Sequence, residues 1–217
     1  MQHCEQTMHN VLIIDDHTVV RRGLRAIIEE AWKLVAIQEA GTAQEGLALL
    51  RANAAEIVVL DLNLPDQNGL DLLKRLHQEW PELPVLILSM HNEDQYGLRA
   101  IQAGAAGYLN KASASENLLL AITKIMNGGR YISPQLADKL LEHVAGSATE
   151  QPHEMLSTRE FQILRMIGAG KPVSAIASDL CLSVKTISTY RTRILEKMQM
   201  KNNAELMHYA VTHGLAE

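Results

Sequence analysis

Five short apolar runs, Val11–Ile14, Leu34–Ile37, Ile57–Leu60, Val85–Leu88 and Gly107–Leu109, punctuate the first half of this chain. They narrow what it can fold into more than any other feature. Each is too short for a helix of ordinary length, and the strongest are apolar at successive positions, as in strands covered on both faces. Amphipathic stretches with helical starts and stops separate them. Thr42 with Glu45, and Ser113 with Glu116, read as capping boxes, and Gly128-Gly129 reads as a helix stop. Five strands alternating with five helices predict a doubly wound α/β domain with a five-stranded parallel sheet. Right-handed crossovers then gather the loops that follow the strands at one edge, where such folds bind ligands.

Beyond Gly129 the pattern changes. Ser133-Pro134 starts a short helix to about Val144, and the small, polar run AGSATEQPHE at 145–154 reads as a linker. From Leu156 onward everything is helical. A capping box at Ser157 and Glu160 opens a helix that ends near Gly168, a second runs from Ser174 to about Leu180, a third from Ser183 to about Met200, and a fourth from Asn202 to Gly214. Four short helices with tight connections predict an all-α helix-turn-helix domain. The expected division is a tail at 1–9, a first domain at 10–129, a linker with a short helix at 130–154, and a helical domain at 155–217.

With 47% hydrophobic and 21% charged residues, the 217-residue chain is neither disordered, collagenous nor a coiled coil. No run approaches the ~18 apolar residues of a membrane span, so a cytoplasmic protein is expected. Cys4 and Cys181 lie too far apart in sequence to frame a disulfide scaffold. Charge is unevenly spread. Residues 1–150 hold 12 Lys and Arg against 19 Asp and Glu, whereas Ser183–Lys201 holds five basic residues against one acidic. A basic helix in an acidic chain points to nucleic acid.

The polar residues at strand ends carry the chemistry. Asp15 and Asp16 follow the first run, Asp61 ends the third, Ser89 follows the fourth and Lys111 the fifth. Taken singly, each acid could cap a helix. Gathered at one sheet edge, three carboxylates repel one another, and a divalent cation relieves them. An all-oxygen donor set favours Mg²⁺. A carboxylate beside that ion can attack phosphorus, with Lys111 pairing the phosphoryl oxygens and Ser89 donating a hydrogen bond. On the third C-terminal helix, Ile187, Tyr190, Ile194 and Met198 form an inward stripe. Lys185, Ser188, Thr189, Thr192 and Glu196 lie opposite, with Arg191, Arg193 and Lys197 on the flanks.

Several motifs carry a family resemblance. IIDD at 13–16, LDLNLP at 60–65, LS at 88–89 and GYLNK at 107–111 resemble the flavodoxin-like receiver domain of two-component response regulators, over residues 10–127. The resemblance implies Asp61 as phosphoacceptor. It implies Asp15, Asp16, Asp61 and the Asn63 main-chain carbonyl as Mg²⁺ ligands. Ser89 becomes the switch hydroxyl, Tyr108 an aromatic that turns inward on phosphorylation, and Lys111 the phosphate partner. Asn63 and His91 occupy positions that tune phosphoryl lifetime in receivers, although His91 reads here as a loop residue. Ala112 departs from the proline common after the lysine.

LSTREFQIL at 156–164, GAG at 168–170, IASDL at 176–180 and LSVKTISTYRTRILEKM at 182–198 resemble the LuxR-type helix-turn-helix, with Val173 where asparagine is common. Together the two halves resemble response regulators of the NarL/FixJ type. By position, Lys185, Ser188, Thr189 and Thr192 would touch bases, and Arg191, Arg193, Lys197 and Lys201 phosphates. The last helix would pair two copies through exposed Leu206, Tyr209 and Ala210. Implied partners are a sensor histidine kinase, double-stranded promoter DNA, RNA polymerase and a second copy of the chain. No enzymatic activity is implied beyond the receiver's own Mg²⁺-dependent phosphorylation and dephosphorylation. Two other readings are an aspartate-based phosphatase, disfavoured by Asn63 where a second aspartate would stand, and a regulator that does not need phosphorylation.

Overall fold

The computed structural model describes residues 9–91, 93–144 and 151–216. Residues 1–8 of the expected tail and 145–150 of the expected linker lie outside this range. The chain forms two compact units, one ending at Val144 and one beginning at Ala145.

In the first unit the apolar runs become β1 (His9–Ile14), β2 (Val35–Ala40), β3 (Ile57–Asp61), β4 (Val85–Ser89) and β5 (Gly107–Asn110). All pair in parallel, in the order β2-β1-β3-β4-β5. The reversal of order lies between β1 and β3, which opens a crevice above their C-terminal ends. β3 and β4 are buried along their whole length, whereas edge strand β2 is largely half-buried. α1 (Thr18–Ala31) and α5 (Ala114–Met126) place Leu24, Ile28, Leu118, Ile122 and Ile125 against Val11, Ile13, Val59 and Leu86. Each such fully buried side chain contributes about 1.5–3 kcal/mol. On the opposite face α2 (Ala43–Ala52) lies so close that a Cβ at Gly46 would be 2.5 Å from Ile14 Cδ1. α3 (Gly69–Glu79) and α4 (Glu93–Gln102) follow β3 and β4.

One expected capping box forms only in part and another not at all. Thr42 accepts from Glu45 N at 3.1 Å, but the Glu45 carboxylate turns to Gly41 N instead of Thr42 N. At α5, Ser113 donates its hydroxyl to Asn110 O and caps nothing. The side chain of Asn110 accepts from Ala112 N and winds Lys111–Ser113 into a 3-10 turn first, which displaces Ser113 from the cap geometry.

Residues 130–144, expected in the linker, belong to the first unit. Tyr131 N donates to Ala106 O at 3.1 Å and Tyr131 O accepts from Tyr108 N at 2.9 Å, which lays the segment alongside β5. α6 (Pro134–Val144) then packs on α4. Leu136 is fully buried there, and a Cβ at Gly97 would stand 2.8 Å from it. The linker assignment failed because Gly128-Gly129 stops α5 without ending the fold.

The second unit holds α7 (Thr158–Gly168), α8 (Val173–Asp179), α9 (Val184–Lys197) and α10 (Asn203–Thr212). The capping box at Ser157 and Glu160 is complete. Phe161, Leu164, Ile176, Ile187, Ile194, Leu206 and Ala210 make the core. The α8–α9 turn passes through Cys181 at φ 52°, an exposed thiol.

Candidate functional site

The sheet register brings the strand ends level: Ile14 pairs with Leu60, Asp61 with Leu88, and Ser89 with Asn110. The crevice between them collects Asp15, Asp61, Ser89 and Lys111, the first three buried at 2% exposure or less. Lys111 Nζ lies 2.6 Å from Asp15 Oδ2 and 2.8 Å from Asp61 Oδ2. Asp61 Oδ1, also buried, meets no hydrogen-bond donor among the described residues. Burial lifts the Asp61 carboxyl above its ordinary value of 3.8; Lys111 opposes the rise and Asp15 adds to it. Burial alone would lower the Lys111 ammonium, but the two carboxylates outweigh it and hold the lysine above 10.5.

Asp16 sits at the exposed rim. His17, unnoticed in the sequence, joins the cluster. Its Nδ1 is 2.6 Å from Asp16 Oδ1 and 3.3 Å from Asp15 Oδ1, and its backbone N–H donates to Asp15 Oδ1 at 2.8 Å. One donor atom from each of Asp15, Asp16, His17 and Asp61 lies within 4.8 Å of the others. Buried carboxylates with an unmet oxygen suit a hard divalent cation, so this donor set is compatible with Mg²⁺. Behind them, Arg21 donates to Asp15 O at 2.6 Å and, with Arg25, grips Glu39 of β2. Those arginines hold the Glu39 carboxyl below the usual range.

The loop after β3 is pinned at both ends. Asn63 bridges Asn68 in antiparallel fashion and Gly69 N donates to Leu62 O at 2.8 Å. A Cβ at Gly69 would fall 2.4 Å from Asp61 O, so only glycine fits. Asn63 is therefore fixed beside the pocket. Its Nδ2 meets His91 Nε2 at 3.2 Å, and the His91 ring stacks on Tyr96. His91 is thus more than a loop residue. Its N–H donates to Ser89 Oγ at 3.1 Å, and its carbonyl accepts from the Tyr108 hydroxyl at 2.9 Å. Tyr108, expected to turn inward only on phosphorylation, is already buried at 2% exposure, because that carbonyl gives its hydroxyl a partner inside.

In the second unit, the exposed face of α9 carries Lys185, Ser188, Thr189, Thr192 and Glu196, as the helical period foresaw, and Arg193 on the flank is exposed as well. The hydroxyls of Ser188, Thr189 and Thr192 donate to carbonyls four residues back, so their outward lone pairs remain as acceptors. Two of the basic candidates are engaged within the domain. Arg191, half-buried, donates from Nε to Asn203 Oδ1 of α10, and Lys197 Nζ lies 2.6 Å from Glu160 Oε2 of α7. Burial would raise Glu160, but Lys197 and Ser157 hold it below its ordinary 4.5. Lys201 is exposed.

The dimerisation candidates need correction. Leu206 and Ala210 are fully buried and Tyr209 is half-buried, its hydroxyl 2.8 Å from His153 Nδ1. The 206/210 stripe packs on α7, where a Cβ at Gly168 would stand 2.5 Å from Ala210 Cβ. The outward apolar residues of α10 are instead Met207 and Val211, the latter 64% exposed.

Residues 11–123 match the response regulator receiver domain, and residues 154–210 match the bacterial regulatory proteins of the luxR family. Response regulator UvrY of Escherichia coli K12 is 35% identical over 209 residues, 96% of each chain. Response regulator GacA of Pseudomonas aeruginosa PAO1 is 36% identical over 211 residues, 97% of this chain and 99% of GacA. Among solved structures, the Salmonella typhimurium RcsB response regulator aligns with a TM-score of 0.65 and 27% identity, over 94% of this chain and 97% of that one. RcsB bound to promoter rprA with the phosphomimetic BeF3⁻ aligns with a TM-score of 0.61 and 26% identity, over 93% and 98%. The chain belongs to the two-component response regulators of the NarL/FixJ family, which join a receiver domain to a LuxR-type DNA-binding domain.

Proposed function

We propose that this transcription regulator is switched by phosphorylation of Asp61. The reading rests on one observation above all: a buried Asp61 carboxylate, one oxygen of which meets no hydrogen-bond donor among the described residues, beside a carboxylate-paired Lys111 at the topological switch point. A sensor histidine kinase supplies the phosphoryl group, whose bond to the imidazole nitrogen breaks as the bond to the Asp61 oxygen forms. Asp15, Asp16, Asp61 and the Asn63 carbonyl would hold Mg²⁺, which would supply positive charge to offset the phosphoryl oxygens. Lys111 can leave Asp61 for a phosphoryl oxygen while keeping Asp15. Ser89 Oγ accepts from His91 N and keeps its own proton for the new group. Because Tyr108 and Ser89 both bond to His91, a shift of Ser89 moves the α4–β5 side of the sheet.

DNA is read by α9. Lys185, Ser188, Thr189 and Thr192 face base edges in the major groove, and Arg193 and Lys201, with Arg191 and Lys197 at the flanks, face phosphates. Two copies meet two half-sites and present the bound promoter to RNA polymerase. Among the described residues no helix is long and apolar enough to cross a membrane, and a cytoplasmic location fits a protein that reads promoters.

The test is incubation with acetyl phosphate and Mg²⁺. Intact mass should rise by one phosphoryl group and promoter affinity should increase. Both changes should vanish in Asp61→Asn. A phosphoryl adduct retained in that variant, or unchanged DNA affinity, refutes the reading.

A further inference from the structure

Tyr190 stands apart from the inward stripe of α9 to which the helical period assigns it. Ile187 and Ile194 are fully buried and Met198 nearly so, whereas Tyr190 is half-buried. At about 100° per residue, Ile187, Ile194 and Met198 fall within about 40° of one another, and Tyr190 lies about 60° from their centre, turned towards Arg193. Its side chain lines an open cleft of about 300 Å³ on that flank, together with Lys185, Thr186, Thr189 and Arg193. The two threonine hydroxyls are already engaged: Thr189 Oγ1 donates to Lys185 O, and Thr186 Oγ1 meets Ser183 Oγ at 2.8 Å. Among the described residues, no hydrogen bond or ion pair engages the Tyr190 hydroxyl, the Lys185 ammonium or the Arg193 guanidinium. The cleft thus offers one phenolic donor between two free positive charges, set about 12 Å apart along the helix axis.

We infer that the Tyr190 hydroxyl donates to a backbone phosphate oxygen of bound DNA, an anchor that fixes the seating of α9 without reading sequence. A helix in the major groove turns its centre to base edges and its flanks to the phosphate walls. Tyr190 lies on the flank that Arg193 occupies, and the two cations of the cleft favour an anion there over a neutral base edge. A tyrosine suits the task, because its ring packs against the core while its polar tip stays in water. With only two side-chain torsions it also loses little freedom on binding. This deepens, and rests on, the reading of α9 as the DNA-reading helix.

The experiment uses the full-length protein, incubated with acetyl phosphate and Mg²⁺, and a DNA duplex that it selects from a random-sequence pool. Tyr190→Phe keeps the ring and removes only the donor, and circular dichroism checks that the helices persist. Affinity for the selected duplex should fall about fivefold, and affinity for an unrelated duplex by the same factor. The slope of log affinity against log salt should not change, because a neutral phenol releases no counterion, in contrast to Arg193→Ala. Single methylphosphonate substitutions along the selected duplex should reveal one backbone position in each site where the parent loses more affinity than Tyr190→Phe does. Parental affinity in Tyr190→Phe while Arg193→Ala is weakened, or a loss confined to one base pair, overturns the contact and leaves the ring a cover for the core. If the unaltered protein selects no duplex, the DNA-reading assignment of α9 itself falls, and this inference with it.

Discussion

Asp66, in the loop that follows β3, clasps the start of α2: its Oδ1 accepts from Ala43 N at 2.9 Å and its Oδ2 from Gln44 N at 3.0 Å. Thr42 takes the next N–H, so the first turn of α2 is capped mainly by a residue more than twenty positions away. The negative side chain also complements the helix dipole. Asp66→Ala should cost about 1 kcal/mol, the scale of a lost N-cap, visible as a lower thermal midpoint. Because the same loop carries Asn63, the rate of phosphorylation by acetyl phosphate should fall as well, with Asp66→Asn intermediate in both measurements.

The raised pKa of Asp61 sets a pH signature. A carboxyl that binds its proton more tightly when folded adds most to stability below its unfolded value, near 3.8, and loses that contribution as pH climbs through the folded value. At neutral pH the charged, buried group is therefore a cost. Asp61→Asn should raise the thermal midpoint of the receiver at pH 7, by on the order of 1 kcal/mol, while Lys111 remains paired with Asp15. Melting curves collected down to about pH 3.5 should show the gain shrinking towards zero. A gain that grows on acidification would contradict the assignment.

Glu160 should behave in the opposite sense. Its pKa is depressed, so its contribution is present above 4.5 and lost as pH falls through the lower folded value. Glu160→Gln keeps an amide for the Ser157 cap but loses the Lys197 pair. The variant should be less stable than the parent at pH 7, and acid titration followed by circular dichroism should bring the two together.

On α9, Arg193→Ala should weaken binding to all DNA sequences alike and reduce the slope of log affinity against log salt by about 1. Thr189→Ala should leave that slope unchanged and relax preference at a single base pair, worth about 1–3 kcal/mol. Its hydroxyl already donates to Lys185 O, so the contact it loses is an acceptor contact, to an adenine or cytosine amino group. Footprinting over a salt series separates the two cases.

α10 offers a clean contrast. Leu206→Ala should remove about 2–5 kcal/mol from the second unit, because it opens a cavity against α7. Val211→Asp should leave stability within about 0.5 kcal/mol yet weaken paired binding to a two-half-site operator. Thermal melts combined with sedimentation on operator DNA test both.

The parts of this protein that were legible in sequence are those where one local rule decides. Five apolar runs named the strands, and Asp15, Asp61, Ser89 and Lys111 had to converge once the sheet was parallel and its loops gathered at one edge. The Ser157 and Glu160 pair needed only the three-residue spacing of a capping box. What stayed hidden depends on competition between distant groups. Periodicity identified an apolar stripe on α10 but not that α7 would claim Leu206 and Ala210, leaving Met207 and Val211 outside. Nothing in a string of letters says that Asn110 would cap first and disarm Ser113, or that the His91 carbonyl would draw Tyr108 inside. His17 had a visible sign, a histidine at a helix start where a capping residue belongs, directly after two aspartates.

The short main-chain tie between Tyr131 and the strand beside it has a consequence for solution behaviour. An outermost strand with open N–H and C=O groups is a template on which another molecule can add its own strand. Here Tyr131 satisfies Ala106 O and Tyr108 N from within the same chain, and α6 then holds that cover in place. A receiver cut off after Gly129 would lose the cover and leave a bare margin prone to self-association, so the stretch that looks like a mere tether also guards the molecule against sticking to its own kind.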